Sequence, residues 1–208
     1  MKNRIKILGL FITLLAFLNT SYAQDKKINV EDWPETAKMA AKAMMDKYGE
    51  PHEHTESMLI WNDTEPFIKT IVYKEEIQHD FPMPHKDVLE QVINHDAPID
   101  KYSDLARFDG SVIVERTKGT IAARCDKEAA NLLALNLAHD IIENKKTVEE
   151  AKQFYADTMM GMMQGEEHEY LKELSFDIVK RNITNPGETI MDMSKVKEMK
   201  EKQNKMNK

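Results

Sequence analysis

The run Ser111-Val112-Ile113-Val114-Glu115-Arg116-Thr117-Lys118-Gly119-Thr120-Ile121-Ala122-Ala123-Arg124-Cys125, continuing into Asp126-Lys127-Glu128-Ala129-Ala130-Asn131-Leu132-Leu133-Ala134-Leu135, decides the fold class. Two stretches rich in β-branched residues flank Lys118-Gly119, a two-residue turn in which glycine supplies the positive φ that a tight hairpin needs. The period then changes. Ala130, Leu133, Ala134, Leu137 and Ile141 recur at helical spacing, and Leu132, Leu135 and Ile142 widen the stripe until it covers most of the helix. A helix this apolar must be covered, and the hairpin in front of it predicts the layer that covers it. Asp126 is placed to cap the helix, and Glu128 lies in its first turn, where the dipole favours an anion.

Toward the N-terminus, Asp32 predicts a helix start with Pro34 in the opening turn. Ala37, Ala40, Ala41, Met44, Met45 and Tyr48 share a face, and Gly49 and Pro51 end the helix. Residues 57–61 and 67–73 carry the aromatic and β-branched content of two antiparallel strands, the second able to run on to Ile77, around a loop of turn formers at residues 62–66. His79 to His85 should leave regular structure, because Pro82 and Pro84 offer no ladder donors. Asp87 to Asp96 fits a helical face through Val88, Leu89, Val92 and Ile93, but its β-branched content favours a strand. Pro98 to Phe108 reads as a short helix stopped by Asp109-Gly110.

Toward the C-terminus, Thr147 with Glu150 three residues on forms a capping-box pattern ahead of Ala151, Phe154, Tyr155 and Met159. Glu166 to Ile178 suggests one more amphipathic helix, and Asn185-Pro186-Gly187 breaks the chain again. The expected architecture is a single α+β domain: a mostly antiparallel sheet of four to five strands, packed by an N-terminal helix and two C-terminal helices. Residues 32–160 form its globular part, 24–31 an extended lead-in, 161–190 a peripheral helical segment and 191–208 a Lys/Met-rich disordered tail.

The first 23 residues read differently. Lys2, Arg4 and Lys6 precede an apolar run from Ile7 to Leu18 and the small-residue site Ser21-Tyr22-Ala23, the pattern of a cleavable signal peptide. Twelve helical residues rise about 18 Å, short of the roughly 30 Å that a permanent span must cross, so no transmembrane anchor is expected after cleavage. Its removal leaves 26 basic against 36 acidic side chains. Such a surface repels phosphate backbones and argues against nucleic acid as a partner. Cys125 is the sole cysteine, so no disulfide can close within the chain.

Three groups could carry chemistry. His79, Asp80, His85 and Asp87 surround a proline-stiffened bend and offer the imidazole and carboxylate donors that zinc takes, with His79, His85 and Asp80 as the expected ligands. The blander reading has Phe81 and Met83 plugging the core while the polar residues face water. Met159, Met160, Met162 and Met163 with His168 offer soft donors for Cu(I), against the alternative that methionine simply fills apolar helix faces. Cys125, before a helix N-terminus, could act as a thiolate if His79 or His85 reached it through the fold, or could be a buried free cysteine. Phosphate loops, serine elbows and His-Glu-x-x-His helices are absent from the sequence.

The strings WPETAKMAAKAM (33–44), KYGEP (47–51), HDFPMPHKDVLEQ (79–91), DGSVIVERTKG (109–119) and AARCDKEAANLLALNLA (122–138) resemble a family of uncharacterised exported bacterial proteins. The resemblance spans roughly Trp33 to Tyr155, implies an exported single domain, and transfers no catalytic residue. Three functional expectations follow. The first is a periplasmic or secreted, non-enzymatic protein that binds another protein or a small ligand. The second is a metal-binding envelope protein using zinc or copper, and the third a hydrolase or thiol enzyme centred on His79, His85 and Cys125. Intact mass spectrometry of the protein recovered outside the cytoplasm is expected to give a chain beginning at Gln24. A mass retaining Met1 to Ala23 would refute the leader.

Overall fold

The computed structural model describes residues 28–178 and 184–207; the expected leader, 1–23, and the start of the lead-in lie outside the described residues. Helix α1 (Glu35–Tyr48) comes first, followed by strands β1 (Glu53–His54), β2 (Met58–Thr64), β3 (Phe67–His79) and β4 (His85–Asn94). A 3₁₀ turn (Ile99–Lys101) leads into α2 (Tyr102–Phe108), and β5 (Ile113–Glu115), β6 (Thr120–Cys125), α3 (Glu128–Ile142) and α4 (Val148–Met163) complete the body. After a second 3₁₀ turn (Glu169–Leu171), helix α5 (Met193–Met206) follows. The strands form one antiparallel sheet in the order β1-β2-β3-β4-β6-β5, so the fold is α+β, with one strand more than the upper expectation. Among the described residues no helix is long and apolar enough to cross a membrane.

Register explains why the helices share one side. Leu59 pairs with Val72, Val72 with Leu89 and Leu89 with Cys125, while Ile93 pairs with Ile121. Paired residues and their i±2 neighbours occupy one face of a pleated sheet. Helix α1 packs Ala37, Ala41 and Met44 on Leu59, Trp61, Val72 and Leu89. Helix α3 lays Leu133, Leu137 and Ile141 over Ile93, Ile121 and Ala123, beside Tyr155 of α4 and Phe108 of α2. Between α1 and α3 runs a polar seam. Glu128 accepts hydrogen bonds from the Tyr48 hydroxyl at 2.6 Å and Gln91 Nε2 at 2.7 Å and pairs with Lys47. Asn131 Nδ2 donates to the Leu89 carbonyl at 3.0 Å, fixing α3 along the strand beneath it. The opposite face carries a polar rank in which the Tyr73 hydroxyl donates to Glu90 and Arg124 stacks over the Tyr73 ring.

Several local expectations are corrected. Helix α1 starts at Glu35 rather than at an Asp32 cap; its free Thr36 N–H is instead satisfied by Glu76 of β3 at 3.1 Å. Asp126 does not cap α3, whose N-cap is Lys127 with no side-chain bond; the Asp126 carboxylate turns to Cys125 and Lys127. The β5–β6 turn is four residues long, 116–119, because Glu115 pairs with Thr120, although Gly119 does adopt the positive φ of 69°. The loop expected at 62–66 shrinks to Glu65 and Pro66, and β3 and β4 absorb His79 and His85, leaving only residues 80–84 outside the ladder. The Asp87–Asp96 segment is strand through Asn94. Glu166–Ile178 holds only a 3₁₀ turn, and residues 193–206, expected to be disordered, form α5 with an Asp192 N-cap and no buried residue.

The failed helix at 166–178 has a visible cause. Asn136, fully buried in α3, captures the chain by donating to the Tyr170 and Glu173 carbonyls and accepting from Ser175 N–H at 2.7 Å, bonds incompatible with a continuous helix. This strap ends on a histidine pair. Phe176 stacks on His139 with ring centroids 4.1 Å apart, and His139 Nδ1 lies 3.0 Å from His95 Nε2. Burial holds both imidazoles below the ordinary histidine range, and the Lys145 ammonium lowers His139 further. A released strap would therefore take up more protons, so docking is complete above about pH 6.5 and weakens as pH falls below it. Hydrogen exchange of residues 169–177, corrected for intrinsic rates, is expected to lose protection between pH 7 and 5, and the loss should shrink in His139→Gln. Unchanged protection over that interval would contradict it.

Candidate functional site

The β3–β4 hairpin carries the chemistry. His79 closes β3 and His85 opens β4 as directly paired residues, so both imidazoles project to the helix-covered side, with ring centroids 4.8 Å apart. Asp87 follows two residues after His85 on the same face. Cys125, paired with Leu89, brings its sulfur in from the neighbouring strand. Phe81, at the hairpin tip, packs on Phe108 and Tyr155, tying the loop to α2 and α4. The two prolines thus lie outside the ladder, and Phe81, immediately before the first of them, anchors the bend to the core.

The donor atoms converge on Asp87. His79 Nδ1 lies 3.3 Å from Asp87 Oδ2, and His85 Nε2 lies 3.1 Å from Asp87 Oδ1. The other nitrogen of each histidine faces an oxygen: His85 Nδ1 is held by the Met83 carbonyl at 2.8 Å, and His79 Nε2 lies 3.6 Å from Asp109 Oδ1. Asp109 is itself fixed by the Ser111 N–H and hydroxyl at 2.8 and 2.7 Å. His79 Nδ1 and Asp87 Oδ1 are buried with no aligned hydrogen-bond partner, despite these short separations. Unpaired buried polar atoms are costly and rare, so two in one cluster call for a physical reason.

Charge completes the picture. The Asp87 carboxylate, followed by the Cys125 thiol, holds the His85 imidazole in its protonated form, its pKa pushed up to about 11. Burial raises the Cys125 thiol and, although its Ser111 bonds oppose it, the Asp109 carboxyl as well. His85 therefore stabilises the fold most below about pH 6.5, and that contribution is lost as pH rises through its folded value.

Of the residues expected from sequence, the structure gathers His79, His85, Asp87 and Cys125. Asp80 is exposed at the tip and accepts a bond from Gln78 Nε2, so the carboxylate in the cluster is Asp87 in its place. The methionine group does not converge: Met159 is buried in the core, Met160 and Met163 are exposed, and His168 Nδ1 accepts the Tyr170 N–H. The thiol arrangement departs from that of a nucleophile and its base, in which carboxylate and nucleophile take opposite nitrogens of the histidine. Here both Asp87 and Cys125 face Nε2, the sulfur at 3.4 Å, while Nδ1 faces a carbonyl. Asp109 and Ser111 were missed; Asp109-Gly110-Ser111 carries a turn signature that reads only as a helix stop.

Comparison with protein-family models, curated proteins and solved structures finds no match to this chain. The cluster's chemistry must therefore be read from its own geometry. In metal-free protein, Asp87→Asn is expected to cost about 3–5 kcal/mol at pH 7, the scale for breaking a buried ion pair, whereas the exposed Asp80→Asn should stay within about 0.5 kcal/mol. Urea unfolding of both variants measures the contrast, and equal stabilities would contradict the central place of Asp87.

Proposed function

We propose that this is an exported, non-enzymatic protein that binds a divalent transition-metal ion, zinc by donor chemistry, through His79, His85 and Asp87. The observation that carries the reading is the orientation of the two imidazoles. Each turns one nitrogen toward a single buried carboxylate, while the other meets an outer oxygen, the Met83 carbonyl at hydrogen-bond distance for His85 and Asp109 at 3.6 Å for His79, the arrangement that outer-sphere partners impose on metal-binding histidines. Donors on a tetrahedral ion at about 2.0–2.2 Å are separated by roughly 3.3–3.6 Å. The 3.1 and 3.3 Å contacts lie within a few tenths of that, and one donor atom from each residue falls within 4.8 Å of the others. A bound ion would also answer the two orphaned atoms, His79 Nδ1 and Asp87 Oδ1.

The reading makes binding a proton exchange. The ion takes the position that the His85 proton holds beside Asp87, so affinity falls as the solution becomes more acid. The outer contacts to the Met83 carbonyl and Asp109 keep the rings aimed when the proton leaves. Export is supported by the basic, apolar and small-residue order of residues 1–23. A binding rather than catalytic role is supported by the burial of Asp87 and by the approach of a fourth donor, which favours a closed site.

Competition titration of the metal-free mature protein is expected to show one zinc ion bound per chain, with a rise in melting temperature. His79→Ala with His85→Ala should abolish both effects, and Asp80→Asn should leave both intact. Absence of zinc binding, or binding that survives loss of both histidines, would overturn the proposal.

A further inference from the structure

Resting on that reading, we infer that Cys125 supplies the fourth ligand as a thiolate, making a closed His₂-Asp-Cys site selective for zinc-class ions over magnesium and calcium. The evidence is positional. Cys125 ends β6 opposite Leu89, one same-face step along β4 from Asp87, so the sulfur emerges beside the carboxylate. Its Sγ lies 3.4 Å from His85 Nε2, the nitrogen that also faces Asp87. A sulfur at about 2.3 Å and a nitrogen at about 2.0 Å from one tetrahedral ion stand roughly 3.5 Å apart. The observed contact has the length of a ligand–ligand edge, and the sulfur has still to turn toward His79 and Asp87 to complete the set.

The sulfur stands a step outside the three-residue group formed by His79, His85 and Asp87. One rotamer change moves a cysteine sulfur by about 3 Å about a fixed Cβ, so the sulfur can turn toward the group without moving the strand. At present the thiol points between His85 and Asp126 Oδ1, the latter 3.5 Å away. On binding, the S–H bond breaks, the proton leaves to solvent, and the sulfur lone pair forms the metal–sulfur bond; no electrons are transferred. A divalent ion with one carboxylate, one thiolate and two neutral imidazoles carries no net charge, the least costly state to bury. Cys125 is only 6 % exposed, so a charged assembly there would lack solvent. Thiolate is also the donor that hard ions such as magnesium and calcium refuse.

Cobalt(II) is the probe. Mature protein loaded with one Co²⁺ is expected to show the intense visible bands of tetrahedral coordination and a near-ultraviolet sulfur-to-cobalt charge-transfer band. Cys125→Ser should lose the charge-transfer band and bind zinc more weakly by about tenfold or more, and excess magnesium or calcium should not displace cobalt from wild type. Cobalt bound without a charge-transfer band in the wild-type protein would overturn the thiolate ligand while leaving His79, His85 and Asp87 as the site, a result that needs no variant to fold. Failure of wild type to bind cobalt or zinc at all would overturn both readings.

Discussion

A buried carboxylate flanked by two imidazoles is the constraint around which this fold is arranged. Asp87 is 5 % exposed and cannot hold its charge alone, because an uncompensated carboxylate in low dielectric costs several kcal/mol. The hairpin answers that cost by pairing His79 directly with His85, so that both rings meet the carboxylate from adjacent strands. Everything that positions the hairpin therefore positions the site: Phe81 wedged against Phe108 and Tyr155, and Asp109 presented by the turn after α2. The His85 proton balances Asp87.

The rest of the molecule is built to hold one side of the sheet dry. Two helices share that side, with α1 over β3, the near part of β4 and β2, and α3 over β6 and β4, and the seam between them is closed by Glu128, Tyr48, Gln91 and Asn131. Such a seam is polar and largely hydrogen-bonded, with the Asn131 Oδ1 left unpartnered, and it lets two apolar patches abut across a strand. The site lies at one end of this layer and the strap of residues 169–178 clasps α3, with Asn136 and the His95–His139 pair as its points of attachment.

Much of the fold was legible because the apolar periods are strong. The stripe on α3, the β-branched runs of β3 and β6 and the Thr147–Glu150 capping box act locally, and the last appears in the structure as a complete reciprocal box. The helix starts expected at Asp32 and Asp126 differ from the structure because tertiary partners displace the local cap: Glu76 serves Thr36, and Cys125 draws Asp126. The strap reads as a helix because its apolar spacing is helical, while the buried Asn136 that dictates its path lies 34 to 39 residues before the groups it binds. The site was half visible. Histidines and aspartates around two prolines announce a cluster, but choosing Asp87 over Asp80 depends on register, since only one of them lies on the covered face. Asp109 and Ser111 belong to the cluster by folding alone.

The most direct test of the account is an anomalous difference map at the zinc absorption edge from crystals of the zinc-loaded protein. The account expects a single strong peak between His79 Nδ1, His85 Nε2 and the Asp87 carboxylate, with both histidines still held from behind by Asp109 and the Met83 carbonyl. A zinc peak elsewhere, or an Asp87 that keeps only its two imidazole neighbours with no anomalous signal between them, would contradict it.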